Sequence, residues 1–298
     1  MLFRSFIYYR RNIYSVIDEL NAELKPEFNR FYILVNSGNQ FRGIISTFDL
    51  VLFLSEMMTR ELKSARRVHS AIVKDRINIS GKSFEASGST QMAGETGGDF
   101  HYFRRMDDRK WFMTLCDVSG KGLNAGLLSV AVSSMCAVYD FSRGIEGLVA
   151  SINSYIFGLF GGEIFLTGIF LEFDEVSGEL SIFDLGHSMI YLIRDGRAGS
   201  PSRHKDNVPL GVLEHIAPVK AVLQPVEGDV VVSFTDGLTE QGNLAGEEFG
   251  EQRILSLVQK YRKSPLAQIH DIMYEEIRSW RIGNAQGDDM SMLLFRLK

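Results

Sequence analysis

Apolar and polar residues alternate along this chain with a changing period, and the changes divide it into three stretches. In the first, Tyr14, Ile17, Leu20 and Leu24 recur at helical spacing. Phe31-Tyr32-Ile33-Leu34-Val35 and Phe41-Arg42-Gly43-Ile44-Ile45 then flank Asn36-Ser37-Gly38-Asn39, the pattern of a hairpin. A helix is predicted from about Thr47, with Ser46 or Thr47 as its cap. In the second stretch Met58, Leu62, Ala65, His69 and Ile72 form a heptad seam. Arg60, Lys63, Arg66, Arg67 and Lys74 lie on its other faces. The seam admits two readings: a helix packed on its own domain, or a short linker that pairs with a partner helix. The predicted organisation is a small α/β segment over 1–56, a linker helix over 57–76 and a large domain over 77–298.

In that large domain, strand patterns fall at 111–116, 165–173, 180–185, 189–193, 219–223, 230–234 and 290–297. Helical periodicity marks 123–141, 145–160, 248–261 and 266–280. Short turns such as Glu175-Val176-Ser177-Gly178 and Asp195-Gly196 join strand pairs, which predicts antiparallel sheets. A regular strand-helix-strand rhythm is absent, and that speaks against a doubly wound parallel fold.

Composition narrows the classes. The 298 residues are 45% hydrophobic and 23% charged, with net charge −5, so nothing draws the chain generally to nucleic acid or anionic lipid. No apolar run approaches the ~20 residues of a membrane span. Cys116 and Cys136 both sit in apolar runs, as expected of buried thiols in a reducing, cytoplasmic compartment. Met1-Leu2-Phe3-Arg4 does not begin a signal-peptide core with a small-residue cleavage site.

The candidate chemistry lies where apolar strands end. Trp111–Cys116 runs into Asp117-Val118-Ser119-Gly120-Lys121-Gly122, and Val230–Thr235 runs into Asp236-Gly237. Gly287 precedes Asp288-Asp289, and Gly97-Gly98-Asp99 leads into the strand pair holding Asp117. A single Asp-Gly is most often a turn. Repeated strand-end aspartates beside glycine instead describe rigid carboxylates in an oxygen-only site, suited to Mg²⁺ or Mn²⁺. Two such ions sharing a water can hydrolyse phosphate esters. Zinc spacing, a nucleophile elbow and a Walker loop are absent.

The segments Gly97-Gly98-Asp99-Phe100, Asp117-Val118-Ser119-Gly120-Lys121-Gly122, Asp184-Leu185-Gly186-His187, Val208-Pro209-Leu210-Gly211-Val212, Phe234-Thr235-Asp236-Gly237-Leu238-Thr239-Glu240 and Asp288-Asp289-Met290-Ser291 resemble successive motifs of the PPM (protein phosphatase 2C-like) phosphatases. The similarity spans about 60–298 and is to the bacterial SpoIIE/RsbU-like branch. It implies an α+β fold, two antiparallel sheets in a sandwich flanked by helices. It also implies two divalent cations, Mn²⁺ or Mg²⁺. Asp117 would bridge them, the Val118 carbonyl would hold one, and Asp236 and Asp288 would each ligate; these three aspartates form the catalytic set. Asp99 would act through water, and Asp289 as a support or further ligand. The implied substrate is phosphoserine or phosphothreonine on a partner protein of the anti-sigma-factor antagonist type.

His187 is present where the family places a histidine, but with different neighbours, and a structural role is expected for it. Lys121 is read either as a phosphate contact or as a solvated loop lysine. Residues 15–58 resemble half of a CBS module through Gly43-Ile44-Ile45-Ser46-Thr47-Phe48-Asp49-Leu50, which implies Ser46 and Asp49 near a nucleotide ribose. A homodimer through the linker helix is expected. The competing function class is a phosphatase-fold docking or sensor protein without catalysis, and the complete carboxylate set argues against it.

Overall fold

The computed structural model describes residues 6–8, 31–201 and 207–298. The chain divides into two compact units, Met1–Ser64 and Ala65–Lys298. In the first, β1 (Phe6–Tyr8) pairs parallel with β2 (Phe31–Val35), which pairs antiparallel with β3 (Phe41–Ser46). The expected hairpin forms because Asn36 Oδ1 accepts the Gly38 and Gln40 amides, each at 3.0 Å, closing the turn.

Helix α1 then runs unbroken over Thr47–Ile72, so the capped helix and the heptad seam are one element. Its start is a reciprocal cap. Ser46 Oγ accepts the Asp49 amide at 3.1 Å, while Asp49 Oδ2 accepts the Ser46 amide at 2.8 Å and the Ser46 hydroxyl at 2.7 Å. Both residues singled out for nucleotide contact are thus engaged with each other. The two-unit boundary falls inside this helix. The helix expected through Tyr14–Leu24 lies outside the described residues.

The second unit contains two fully antiparallel sheets. One holds β4 (Arg76–Ser80), β5 (Phe84–Gln91), β10 (Ile190–Arg194), β11 (Arg197–Gly199), β13 (Val230–Phe234) and β14 (Met290–Leu297), in the order β11-β10-β13-β14-β5-β4. The other holds β6 (Phe100–Arg105), β7 (Lys110–Val118), β8 (Leu166–Asp174), β9 (Leu180–Leu185) and β12 (Ala221–Leu223), in the order β12-β9-β8-β7-β6. Between them lies a core built on Phe84, Phe173, Leu293 and Phe295. Helices α2 (Leu123–Val138) and α3 (Gly144–Phe160) cover the outer face of the second sheet through Val132, Leu148, Ile152 and Phe170. A one-turn helix α4 (Asp236–Thr239) follows β13, and α5 (Glu251–Tyr261) and α6 (Leu266–Trp280) cover the first sheet through Ile254, Met273, Val232 and Leu294. Helix, sheet, sheet, helix is the expected sandwich.

The differences have local causes. The helix expected over 123–141 stops at Val138, and Asp140 caps a separate 3₁₀ turn by accepting the Ser142 amide at 3.1 Å. Helix α5 starts at Glu251, after Gly250 takes φ 80°. Strands β4 and β5 have no counterpart among the expected strands, while β6 and β11 complete the strand pairs expected after Asp99 and around Asp195-Gly196. No single helix among the described residues is long and apolar enough to cross a membrane.

Candidate active site

The strands change character as they approach one end of the sandwich. Side chains along a strand alternate between faces, so positions two apart share an environment. On β7, Met113 and Leu115 fill the inter-sheet core and Asp117 comes next on the same face. On β14 the series is Phe295, Leu293, Ser291 and then Asp289; on β6 it is Phe103, His101 and then Asp99. The apolar core therefore grades into a polar, carboxylate-bearing end.

All five predicted aspartates meet there. Asp99 feels the charges of Asp117 and Asp289, and Asp117 those of Asp236, Asp288 and Asp289. Burial first, and then these like charges, push the Asp117 carboxyl up to about 7. The same two causes raise Asp99 well above the ordinary carboxylate range. Asp289 is raised by burial, with Asp288 adding to it, although backbone amides oppose the shift. Glu240, which sequence reading left out of the site, is raised by burial and then by Asp236.

Three of the carboxylates are anchored. Asp289 Oδ1 accepts the Ala93 amide at 2.8 Å, Asp288 Oδ1 accepts the Asp289 amide at 2.8 Å, and Asp99 Oδ2 accepts the Thr235 hydroxyl at 2.7 Å. Lys121 places Nζ 2.6 Å from Asp288 Oδ2 and 3.0 Å from the Gly287 carbonyl, so it is tied to the cluster rather than only solvated. Glycine here allows close approach: a Cβ at Gly97 would strike the Asp289 carboxylate, and one at Gly237 the Asp289 carbonyl. A Cβ at Gly98 would lie 2.9 Å from the Val118 carbonyl, which puts that predicted donor beside Asp99.

Two histidines brace this end. His187 Nε2 lies 2.9 Å from the Phe234 carbonyl, fixing the chain just before Asp236, while Asp184 Oδ1 accepts the His187 and Ser188 amides, each at 3.0 Å. Burial lowers the His187 pKa, consistent with a neutral structural ring. His69, on the last turns of α1, is buried with Nε2 3.1 Å from both the Gly97 carbonyl and Ser129 Oγ. Ser46 and Asp49 belong to the first unit and are not among the residues gathered here.

The donors fit hard cations. They are carboxylates and a carbonyl, crowded enough to repel one another, and that repulsion is what a divalent ion relieves. Among the described residues no group of three or more His, Cys, Asp or Glu side chains is arranged to hold a metal ion. Mg²⁺-type sites need fewer, since such ions keep several waters and take one or two carboxylates each.

Comparison with known proteins follows the same lines. The phosphoserine phosphatase RsbP of Bacillus subtilis (strain 168) is 21% identical over 254 residues, covering 80% of this chain and 58% of RsbP. The chain thus spans little more than half of that relative. The SiaA-PP2C domain of Pseudomonas aeruginosa superposes with TM-score 0.67 at 15% identity, covering 82% of this chain and 99% of that domain. The catalytic domain of the serine threonine protein phosphatase PstP, solved with two manganese ions, superposes with TM-score 0.54 at 16% identity, covering 72% of this chain and 98% of that one. Both show a shared fold. Residues 107–298, more than half of the chain and the part that carries Asp117, Asp236, Asp288 and Asp289, match the stage II sporulation protein E (SpoIIE) family, and the chain belongs to that family.

Proposed function

We propose that this chain is a divalent-cation-dependent phosphatase that hydrolyses phosphoserine or phosphothreonine on a partner protein. The observation that carries the reading is the convergence of Asp99, Asp117, Asp236, Asp288 and Asp289 from four separate chain segments onto one end of the sandwich. Asp117, the Val118 carbonyl, Asp236 and Asp288 would hold a pair of Mn²⁺ or Mg²⁺ ions, with Asp99 and Asp289 beside them. Bound there, the ions would supply an activated water and neutralise phosphate charge. The chain itself aims the carboxylates from rigid strand ends, and Lys121 offers an ammonium group at the rim. In the reaction a water oxygen bonds to phosphorus and the ester P–O bond breaks. Its electron pair leaves on the side-chain oxygen, which regains a proton from the attacking water.

Family membership and the likeness to a phosphoserine phosphatase support a phosphoserine substrate, and the partner protein proposed here is of the anti-sigma-factor antagonist type. The test is hydrolysis of p-nitrophenyl phosphate and of a phosphoserine protein, with Mn²⁺ or with chelator. Asp117→Asn is expected to lose more than the ~100-fold typical of an outer-sphere change. Full metal-stimulated turnover by that variant would overturn the assignment.

We further propose that α1 pairs with its copy in a homodimer. The seam positions Val51, Met58 and Leu62 stand 63%, 61% and 37% exposed, while His69 further along is buried against its own unit, so the pairing stretch is the part of the helix before it. Leu62→Asp is expected to shift sedimentation toward the monomer. An unchanged sedimentation profile would remove the pairing.

A further inference from the structure

We propose that Thr235 is the positioning residue that decides which oxygen of Asp99 faces the cation site. The inference rests on the cation-dependent reading above. Thr235 is completely buried, and its single hydroxyl proton has a forced direction. Its Oγ1 already accepts the Ser291 amide at 3.0 Å, so the proton goes to Asp99 Oδ2, 2.7 Å away. That bond commits Oδ2 to Thr235, while the Ser291 hydroxyl and the Asp117 carboxyl also lie within hydrogen-bond reach of Asp99.

The Ser291 that fixes Thr235 is itself held. Ser291 Oγ donates to Thr90 Oγ1 at 2.8 Å, and Thr90 Oγ1 lies 3.0 Å from His101 Nδ1. The His101 ring packs where Gly88 has no side chain; a Cβ there would come within 2.5 Å of His101 Cδ2. Thr235 and Ser291 pair across the β13–β14 edge, while Thr90 sits on β5 directly opposite Ser291. Three strands of one sheet, with His101 from the other, thus set a single hydrogen-bond direction behind Asp99. None of these hydroxyls is needed to fill an apolar core, and each would be costly to bury unpaired.

The test measures Mn²⁺ affinity of the full chain by calorimetry and by electron paramagnetic resonance of free Mn²⁺, neither of which depends on turnover. Thr235→Val keeps the side-chain shape, removes the donor, and is expected to weaken Mn²⁺ binding about 10–100-fold, the range for outer-sphere partners. Thr235→Ser restores the hydroxyl and is expected to bind like wild type. In the Asp99→Asn background, Thr235→Val is expected to add nothing, because both changes act through the same carboxylate. If Thr235→Val does not fold, Thr235→Ala makes the same comparison. Wild-type affinity in the hydroxyl-free variants, failure of serine to rescue, or additive losses in the double variant would each overturn the role of Thr235. Absence of Mn²⁺ binding by the wild type would instead overturn the reading of the site, and this inference with it.

Discussion

The two ends of the β-sandwich treat their carboxylates in opposite ways. Far from the site, acidic groups have cationic partners: Arg194 Nε holds Asp229 at 3.0 and 3.1 Å, Arg109 meets Asp174 at 2.7 Å, Lys110 meets Glu172 at 2.6 Å, and Arg296 pairs with Glu85. Burial raises the Asp174 carboxyl, but the Val176 and Ser177 amides and Arg109 more than offset it, and it ends below its ordinary value. At the opposite end five aspartates crowd together, and Lys121 pairs with only one of them. Supplying counter-charges at one end and a single lysine at the other is the contrast that the proposed cation site would explain.

That contrast can be broken first at the paired end. Arg194→Ala leaves Asp229, 2% exposed, as a buried charge without its guanidinium. Breaking a fully buried pair costs ~3–5 kcal/mol, and the 40% exposure of Arg194 reduces the expectation to about 2–3 kcal/mol in urea unfolding. Mn²⁺ affinity is expected to stay unchanged. A loss under about 0.5 kcal/mol would mean that the partners at this end are decorative.

At the site end the sign reverses. Asp117 has a folded pKa of about 7, above its unfolded value. Its contribution to stability is therefore present below the unfolded pKa and is lost as pH rises through about 7. Metal-free protein is expected to lose stability over that window, and Mn²⁺ at a hundred times its Kd to restore about 2.7 kcal/mol. Asp117→Asn is expected to stabilise the metal-free chain by ~1–2 kcal/mol at pH 8 and to flatten the pH dependence. Thermal unfolding across pH checks both. A destabilised Asp117→Asn would show that the carboxylates do not repel one another.

Much of this was legible beforehand. Strands β9, β13 and β14 and helix α6 begin and end where their apolar patterns do. The strand-end aspartates also declared themselves, because an acid after Val-Val-Val-Ser-Phe-Thr has no packing reason to be there. Strand β5 escaped because Phe84–Gln91 is mostly small and polar. Its Ser89 is buried by bonding His270 Nδ1 at 2.6 Å and Tyr274 at 2.8 Å, partners 181 and 185 residues away, and Gly88 makes room for His101. Apolar periodicity does not register a strand whose neighbours satisfy its hydroxyls. Thr235 was overlooked for the same reason: it reads as the tail of an apolar run, and only the register of β13 against β14 gives its hydroxyl a direction. The seam and the capped helix looked like separate elements because the apolar stripe says nothing about whether the backbone breaks.

The most direct test of the central claim is diffraction from crystals of the full chain soaked in Mn²⁺, recorded at the manganese absorption edge. The expected result is a pair of anomalous peaks about 3.5–4 Å apart, flanked by Asp117, Asp236 and Asp288. Strong peaks elsewhere on the surface, with those three carboxylates still bonded only to protein, would contradict it.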